Sequence, residues 1–476
     1  MKRYKRIYIL LGVLVAACIV TFGVSKYEEH KELIRTSDEI VLELSSDSVQ
    51  SLSWTYESQS LAFHKDEQWL YDEDEAFPVD QEKIDELLST FEAFGVSFII
   101  EDVEDYGQYG LDDPVCTIEL TTEDQTYEIL LGDYSTMDSQ RYVSIGDGNV
   151  YLVQNDPLDD FSIVLSDMID NDDVPTFDEV TQIQFSGTED YQITYEEDSS
   201  STYREEDVYF TQQDGDDVPL DTSKVDSYLQ TIHNLDLSNY TTYNATDEEI
   251  AACGLDDPQL TITVDYSTED EDGNMLSDTF VLHVSRDPEE LAEAEAAAQE
   301  DTESEESADT SEEEEITAYA RVGDSPILYQ ITADEYNKLM AAAYDDLRHS
   351  EVLPADTEDI SQIDITLDGE TYTITSLTDG ESRSYYYQEE LTDLTDFQSA
   401  LEALTADTFT QESPSQKEEI SLKLQLDQEG EPSVQIDLYR YDGSYCLAVV
   451  DGEPVSLVAR SSVIDLVEAV NAIVLN

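Results

Sequence analysis

An α+β protein is expected, with a single N-terminal transmembrane helix followed by three repeated modules of antiparallel β-hairpins with packed helices. Three features of the chain lead there. A basic hexapeptide runs into a long apolar stretch; the phrase Gly-Leu-Asp-Asp-Pro is written twice, at Gly110–Pro114 and Gly254–Pro258, each time ahead of alternating apolar residues; and a strand-like opening phrase occurs three times. Alternation with period two marks half-buried strands, and apolar residues three and four apart mark helices packed on one face.

The first element is the anchor. Residues 1–6 carry Lys2, Arg3, Lys5 and Arg6, and the uncharged run Ile7–Val24 comes directly after. At about 1.5 Å per residue such a run crosses a bilayer core as a helix, and the basic leader favours a cytoplasmic N-terminus with the remaining chain outside. A cleaved signal peptide, or a lipoprotein cut at Cys18, is the rival reading. The apolar run continues past Cys18 as Ile19–Val24, which favours a retained anchor. The expected location is the cell membrane, single-pass, with an extracytoplasmic body.

The body of the chain is acidic and rich in core-forming residues. Asp and Glu number 113 against 21 Lys and Arg, a formal charge of -92, which repels phosphate backbones and excludes nucleic acid as a partner. Yet 40% of residues are apolar, with 30 Tyr and 13 Phe, so the chain has material for several cores and is not a wholly disordered acidic protein. Beyond Cys18, the cysteines Cys116, Cys253 and Cys446 are odd in number and have no C-x-x-C spacing, which suits small strand hydrophobes better than disulfides or a metal site.

The modules are placed at residues 38–175, 178–350 and 358–476. Upstream of each GLDDP lies a similar amphipathic helix: "VDQEKIDELLSTFEAF" from Val79 answers "LDTSKVDSYLQTIHNL" from Leu220, each with an Asp at the N-cap and apolar residues at helical spacing. Downstream, "RYVSIGDGNVYLVQND" from Arg141 answers "AYARVGDSPILYQITAD" from Ala318, two strands around a Gly-Asp turn. The distance from Gly254 to Gly323 exceeds that from Gly110 to Gly146, and the surplus coincides with the acidic tract at residues 286–315. That tract has few large apolar residues and is expected to be a disordered insertion, with a helix at most around Glu289 to Gln299. The three openings are "SVQSLSW" from Ser48, "EVTQIQF" from Glu179 and "DISQIDI" from Asp359; the third copy has lost GLDDP, and linkers fall around Pro175 and Pro354.

The residues of the repeated phrase are candidates for a structural motif: Gly110, Asp112, Asp113 and Pro114, and Gly254, Asp256, Asp257 and Pro258. Each glycine suits a turn position with positive φ, the aspartates can bond nearby N–H groups, and the proline fixes an extended entry to a strand. Adjacent aspartates entering a strand point to opposite sides, which does not suit an acid–base pair. No catalytic, cofactor-binding or metal-ligating residue is assigned. "STEDEDGN" from Ser267 and "QQDGDD" from Gln212 place Asp near Gly without completing a calcium loop, so weak, delocalised Ca2+ binding is the only cation role expected. Familiar catalytic signatures are lacking, and His30, His64, His233, His283 and His349 never fall at ligand-pair spacing. Tyr385, Tyr386 and Tyr387 alternate as sheet residues do, favouring packing over a sugar-stacking platform.

The basic leader and anchor, "YGLDDP", "YEILLGD", "RYVSIGDGNVYLV" and "LRHSEVLPADTEDISQIDI" together resemble the bacterial domain-of-unknown-function 4340 family over nearly the whole exported chain. The resemblance implies partners among ABC-type transporter components and supplies no catalytic residues to carry over. The expected function is a membrane-anchored, extracytoplasmic, non-enzymatic binding or accessory protein. The alternatives are a cell-envelope enzyme with an unrecognised carboxylate site and a Ca2+-dependent surface-binding protein.

Overall fold

The computed structural model describes residues 33–36, 39–269, 273–301, 316–379, 382–428 and 430–475. Among these residues no helix is long and apolar enough to cross a membrane, and the anchor expected over residues 7–24 lies outside them. The protein is α+β, with three antiparallel sheets. Packing separates two compact units: residues up to Asp172 together with Ser238–Asn244, and Asp173–Leu237 together with Ala245 onward. The first sheet belongs to the first unit, and the third module packs in the second unit with most of the second module.

All three sheets are built in one way. An opening strand, Val49–Tyr56, Glu179–Gly187 or Ile360–Leu367, lies in the interior of its sheet. The strands directly after it run outward on one side, beginning with Gln59–Lys65, Tyr191–Tyr195 or Glu370–Asp379. A helix comes next: Gln81–Ser89, Thr222–His233 or Thr395–Glu402. The chain then returns, and Cys116–Thr122, Leu260–Glu269 or Glu418–Leu426 pairs with the other side of the opening strand. Three more strands continue outward from there, ending at Val150–Val153, Leu328–Ile331 or Glu453–Ala459.

Equivalence extends to single residues. In each opening strand the register slips at one point against the returning strand, between Val49 and Ser51, Val180 and Gln182, and Ile360 and Gln362. The bulged residues are therefore Gln50, Thr181 and Ser361, the same place in the three opening phrases. A bulge increases local twist, and its recurrence shows that the third copy is a true module although it lacks GLDDP.

The helices form where the sequence caps them. Asp80 accepts from the Lys83 N–H, and Asp221 accepts from Ser223 and Lys224, satisfying donors that a helix start leaves open. Ile84, Leu87 and Leu88 are buried on one face of the first helix, with Phe91 buried in the turn just after it, and Val225, Tyr228, Leu229 and Ile232 on that of the second. Full burial of such a side chain is worth about 1.5–3 kcal/mol, more than propensity supplies to so short a helix. The third helix presents Phe397, Ala400 and Leu401 at the same spacing, with Leu404 just beyond its end, all packed into the core of its module.

The acidic insertion differs from expectation at its start. Met275–Arg286 is a strand and Pro288–Asp301 an α-helix, longer than the Glu289–Gln299 stretch anticipated; residues 302–315 lie outside the described residues. Ala and Glu favour the helix. The base is tied down as well: Asp287 N–H donates to the Thr317 carbonyl at 2.9 Å, and Glu290 accepts from both the N–H and the hydroxyl of Thr317 at 2.9 and 2.7 Å.

Candidate functional site

The two GLDDP phrases are turns with a small apolar staple. Gly110 and Gly254 have φ of 72° and 71°, the left-handed region that L side chains rarely adopt. A Cβ at Gly110 would stand 2.7 Å from Asp133 Cγ, and one at Gly254 2.7 Å from Ser285 Oγ, so sterics demand glycine a second time. Leu111 packs with Tyr109, Val150 and Tyr142; Leu255 packs with Cys253, Leu328 and Tyr319 at the corresponding places. Asp112, Asp113, Asp256 and Asp257 are exposed, while Pro114 and Pro258 are half-buried ahead of the returning strands. The phrase therefore fastens the returning strand's entrance to the end of its own sheet.

The cysteines are buried and reduced. All three are free thiols: Cys116 and Cys446 lie in strands, as expected, whereas Cys253 lies at the end of the short helix Asp247–Ala252, and burial pushes the Cys116 thiol up to about 12 and that of Cys446 up to about 11. A thiol held in its protonated form is a poor nucleophile.

The polar side chains that do converge lie in the second unit, where the second module meets the third. The loop between Tyr191–Tyr195 and Tyr209–Gln213 brings Arg204 and Asp207 to the linker residues His349 and Glu351, close to the cap residue Asp221. Asp207 is 3% exposed; one carboxylate oxygen accepts from Thr202 Oγ1 at 2.5 Å, and the other lies 2.8 Å from His349 Nε2. Arg204 Nη1 lies 3.3 Å from His349 Nδ1, and its Nη2 donates to the Leu353 carbonyl at 2.9 Å. A guanidinium can only donate, so Nδ1 accepts and the imidazole proton sits on Nε2, facing Asp207. Glu351 completes the cluster, 3.7 Å from His349 and 4.0 Å from Arg204.

Beside Arg204 opens an acidic hollow of about 540 Å³, lined among others by Glu206, Glu351, Asp356 and Glu402. Burial, and behind it the charge of Glu206, pushes the Asp356 carboxyl up, while Arg204 pulls it down. Asp221, His349 and Glu351 bring ligand atoms within 4.8 Å of one another, the spacing a cation would need. The arrangement does not suit one: the free imidazole lone pair already receives Arg204, whose positive charge stands where a cation would bind. The cluster is an internal ion-pair network that locks the linker onto the preceding module.

Sequence reasoning passes over this network, since His349 has no ligand-spaced histidine to draw attention to it. Its partners Arg204 and Asp207 are remote in the chain, and only the dense Arg-His-Ser-Glu run at Arg348–Glu351 hints at it. None of the GLDDP residues takes part.

The sequence profile described as "Domain of unknown function (DUF4340)" matches the chain over residues 69–258 and again over residues 211–425. The chain belongs to that family. No curated protein and no solved structure matches it. The two matched stretches overlap across the second module, as befits repeated modules within one member of the family.

Proposed function

We propose that this DUF4340 member is a non-enzymatic binding or accessory subunit, tethered to a membrane by its N-terminal apolar run, with its modules on the extracytoplasmic side beside an ABC-type transporter or comparable surface assembly. One observation carries the reading: the residues that the modules share are spent on construction. The glycines satisfy a backbone conformation and a close approach, the leucines fill a staple, and the aspartates at the helix starts cap backbone donors. Repetition of architecture without repetition of chemistry suits a protein that presents surface. The basic leader ahead of Ile7–Val24 supports the tether and its orientation.

The test is topological and compositional together. Protease added to intact, wall-stripped cells should digest the modules, and mild cross-linking before detergent extraction should recover an ATPase–permease pair with the chain. Protection of the whole chain, or recovery with no transporter component, would overturn the proposal.

A further inference from the structure

In each sheet the strand that follows the returning one outruns its next neighbour, and the second module carries this furthest. In the first module Thr126–Ser135 is joined by Gln140–Ser144 from Leu130 onward. In the third, Ser433–Arg440 is joined from Ile436 onward, and Asp451 closes the gap: its N–H donates to the Gln435 carbonyl and its carboxylate accepts from the Gln435 N–H, both at 2.8 Å. In the second, Met275–Arg286 is joined by Ala318–Val322 only from Leu282 onward, and the Gly323 N–H reaches back to the Val281 carbonyl at 2.8 Å. Among the described residues, Met275–Phe280 is paired on one side only, with the returning strand Leu260–Glu269.

Antiparallel pairing fixes which backbone groups face the open side. Residues along a strand present their N–H and C=O alternately to one neighbour and to the other. The Val281 carbonyl faces Gly323, away from the returning strand, and counting back in twos from Val281 turns the N–H and C=O of Thr279, Ser277 and Met275 the same way. Asp278 Oδ1 accepts from the Thr279 N–H at 2.7 Å, a side chain standing in where a strand would pair. Met275–Thr279 is exposed throughout, with Met275 at 50% and Leu276 at 54%.

We propose that this edge accepts a strand of a partner protein in which apolar and basic residues alternate. Main-chain bonds to the outward groups supply the pairing, the Asp278 carboxylate giving up the Thr279 N–H, and side chains select the partner. On one face the added strand lies beside Leu276 and Phe280, and Phe280 meets Phe177 edge-on, so apolar residues suit that face. On the other face stand Glu269, opposite Met275, and Asp265, opposite Thr279, and these carboxylates call for cations. A second copy of the chain does not answer them, since no lysine or arginine lies between Ser267 and Ser285. The inference rests on the proposed binding role and names its surface, and it is tested in solution, so its failure leaves the topology experiment standing.

The probe is a fluorescein-labelled peptide, Lys-Val-Lys-Val-Lys-Val-Lys-Val, and its control of equal charge is Lys-Lys-Lys-Lys-Val-Val-Val-Val. Fluorescence anisotropy with the purified full chain should show saturable binding of the alternating peptide, at least tenfold tighter than that of the control. Ser277→Pro removes an outward N–H that no strand pairing of the fold uses, so the variant should keep the wild-type circular dichroism and bind the probe at least tenfold more weakly. On the wild-type chain the bound peptide should slow amide exchange at Met275 and Ser277. Equal binding of the two peptides, undiminished binding to the folded Ser277→Pro chain, or unchanged exchange at Met275 and Ser277 overturns the proposal. So does self-association of the chain that Ser277→Pro abolishes, because a second copy would then be the occupant.

Discussion

The second and third modules share a topology, a bulged opening strand and a similar helix, yet the second breaks its closing helix after Met340 and plugs its helix start with the turn at Leu347, whereas the third runs one unbroken helix from Arg460 to Val474. Leu347 and the GLDDP staple belong to the first arrangement; the packed helix end at Ile473 and Val474 and the lost GLDDP belong to the second. The difference separates what the module needs in order to fold from what it can do without. Strand pairing and the amphipathic helix are common to both, whereas the plug and the staple are refinements laid over them.

The comparison is most exposed at the plug. Leu347→Ala should destabilise the second unit by about 2–5 kcal/mol, the cost of emptying a filled apolar slot, while Leu475→Ala should change it by less than about 0.5 kcal/mol. Denaturant titration of both variants reads the contrast directly. Equal losses would mean that Leu475, and not the packed Ile473 and Val474 alone, holds the end of the unbroken helix.

Next in size is the staple. Gly110→Val forces a β-branched residue into the left-handed region and against Asp133, which should cost more than about 2 kcal/mol. Amide exchange should accelerate across the first sheet and stay unchanged in Ile360–Leu367 and Glu418–Leu426, since the third module has no such turn. Loss of protection in the third module too would sink the idea that the staple acts locally.

A smaller effect separates the modules by pH. His283, in the second sheet, bonds Thr261 Oγ1 at 3.0 Å; burial, then the charge of Arg321, holds its imidazole below the ordinary value of 6.5. The unfolded chain therefore takes up the proton at higher pH than the folded one. The contribution is intact above about pH 6.5 and is lost as the pH falls through that value toward the depressed folded one. His283→Gln should flatten the decline of unfolding midpoint between about pH 7 and 5. An unchanged slope would show that the acid sensitivity lies elsewhere. Smallest of all, Asp113→Asn replaces an exposed side chain and should shift stability by less than about 0.5 kcal/mol.

Much of this architecture is written locally and can be read from the chain. The capping aspartates, the helical spacing of Ile84 to Phe91 and Val225 to Ile232, the positive-φ glycines and the three opening phrases are short-range signals, each visible within one turn or one strand. The illegible part is long-range. Met168 and Leu347 look like stray apolar residues in acidic linkers, because their slots are built by residues far earlier in sequence. The Arg204–Asp207–His349 network is hidden in the same way, since ordinary spacing says nothing about a loop and a linker meeting. The helix at Pro288–Asp301 is half visible, through composition alone.

The placement of each opening strand inside its sheet sets the order in which a nascent chain can fold. Tyr56 pairs with Cys116, Gly187 with Leu260 and Thr366 with Ser421, so more than fifty residues must emerge before the second edge of an opening strand is covered. At roughly 5–20 residues per second, synthesis leaves that edge bare for several seconds in every module, open to pairing with the wrong strand. The opening strands carry little charge of their own to prevent this, Glu179 and Asp364 being the only charged residues in the three of them, so their protection rests on the prompt return of the partner strand.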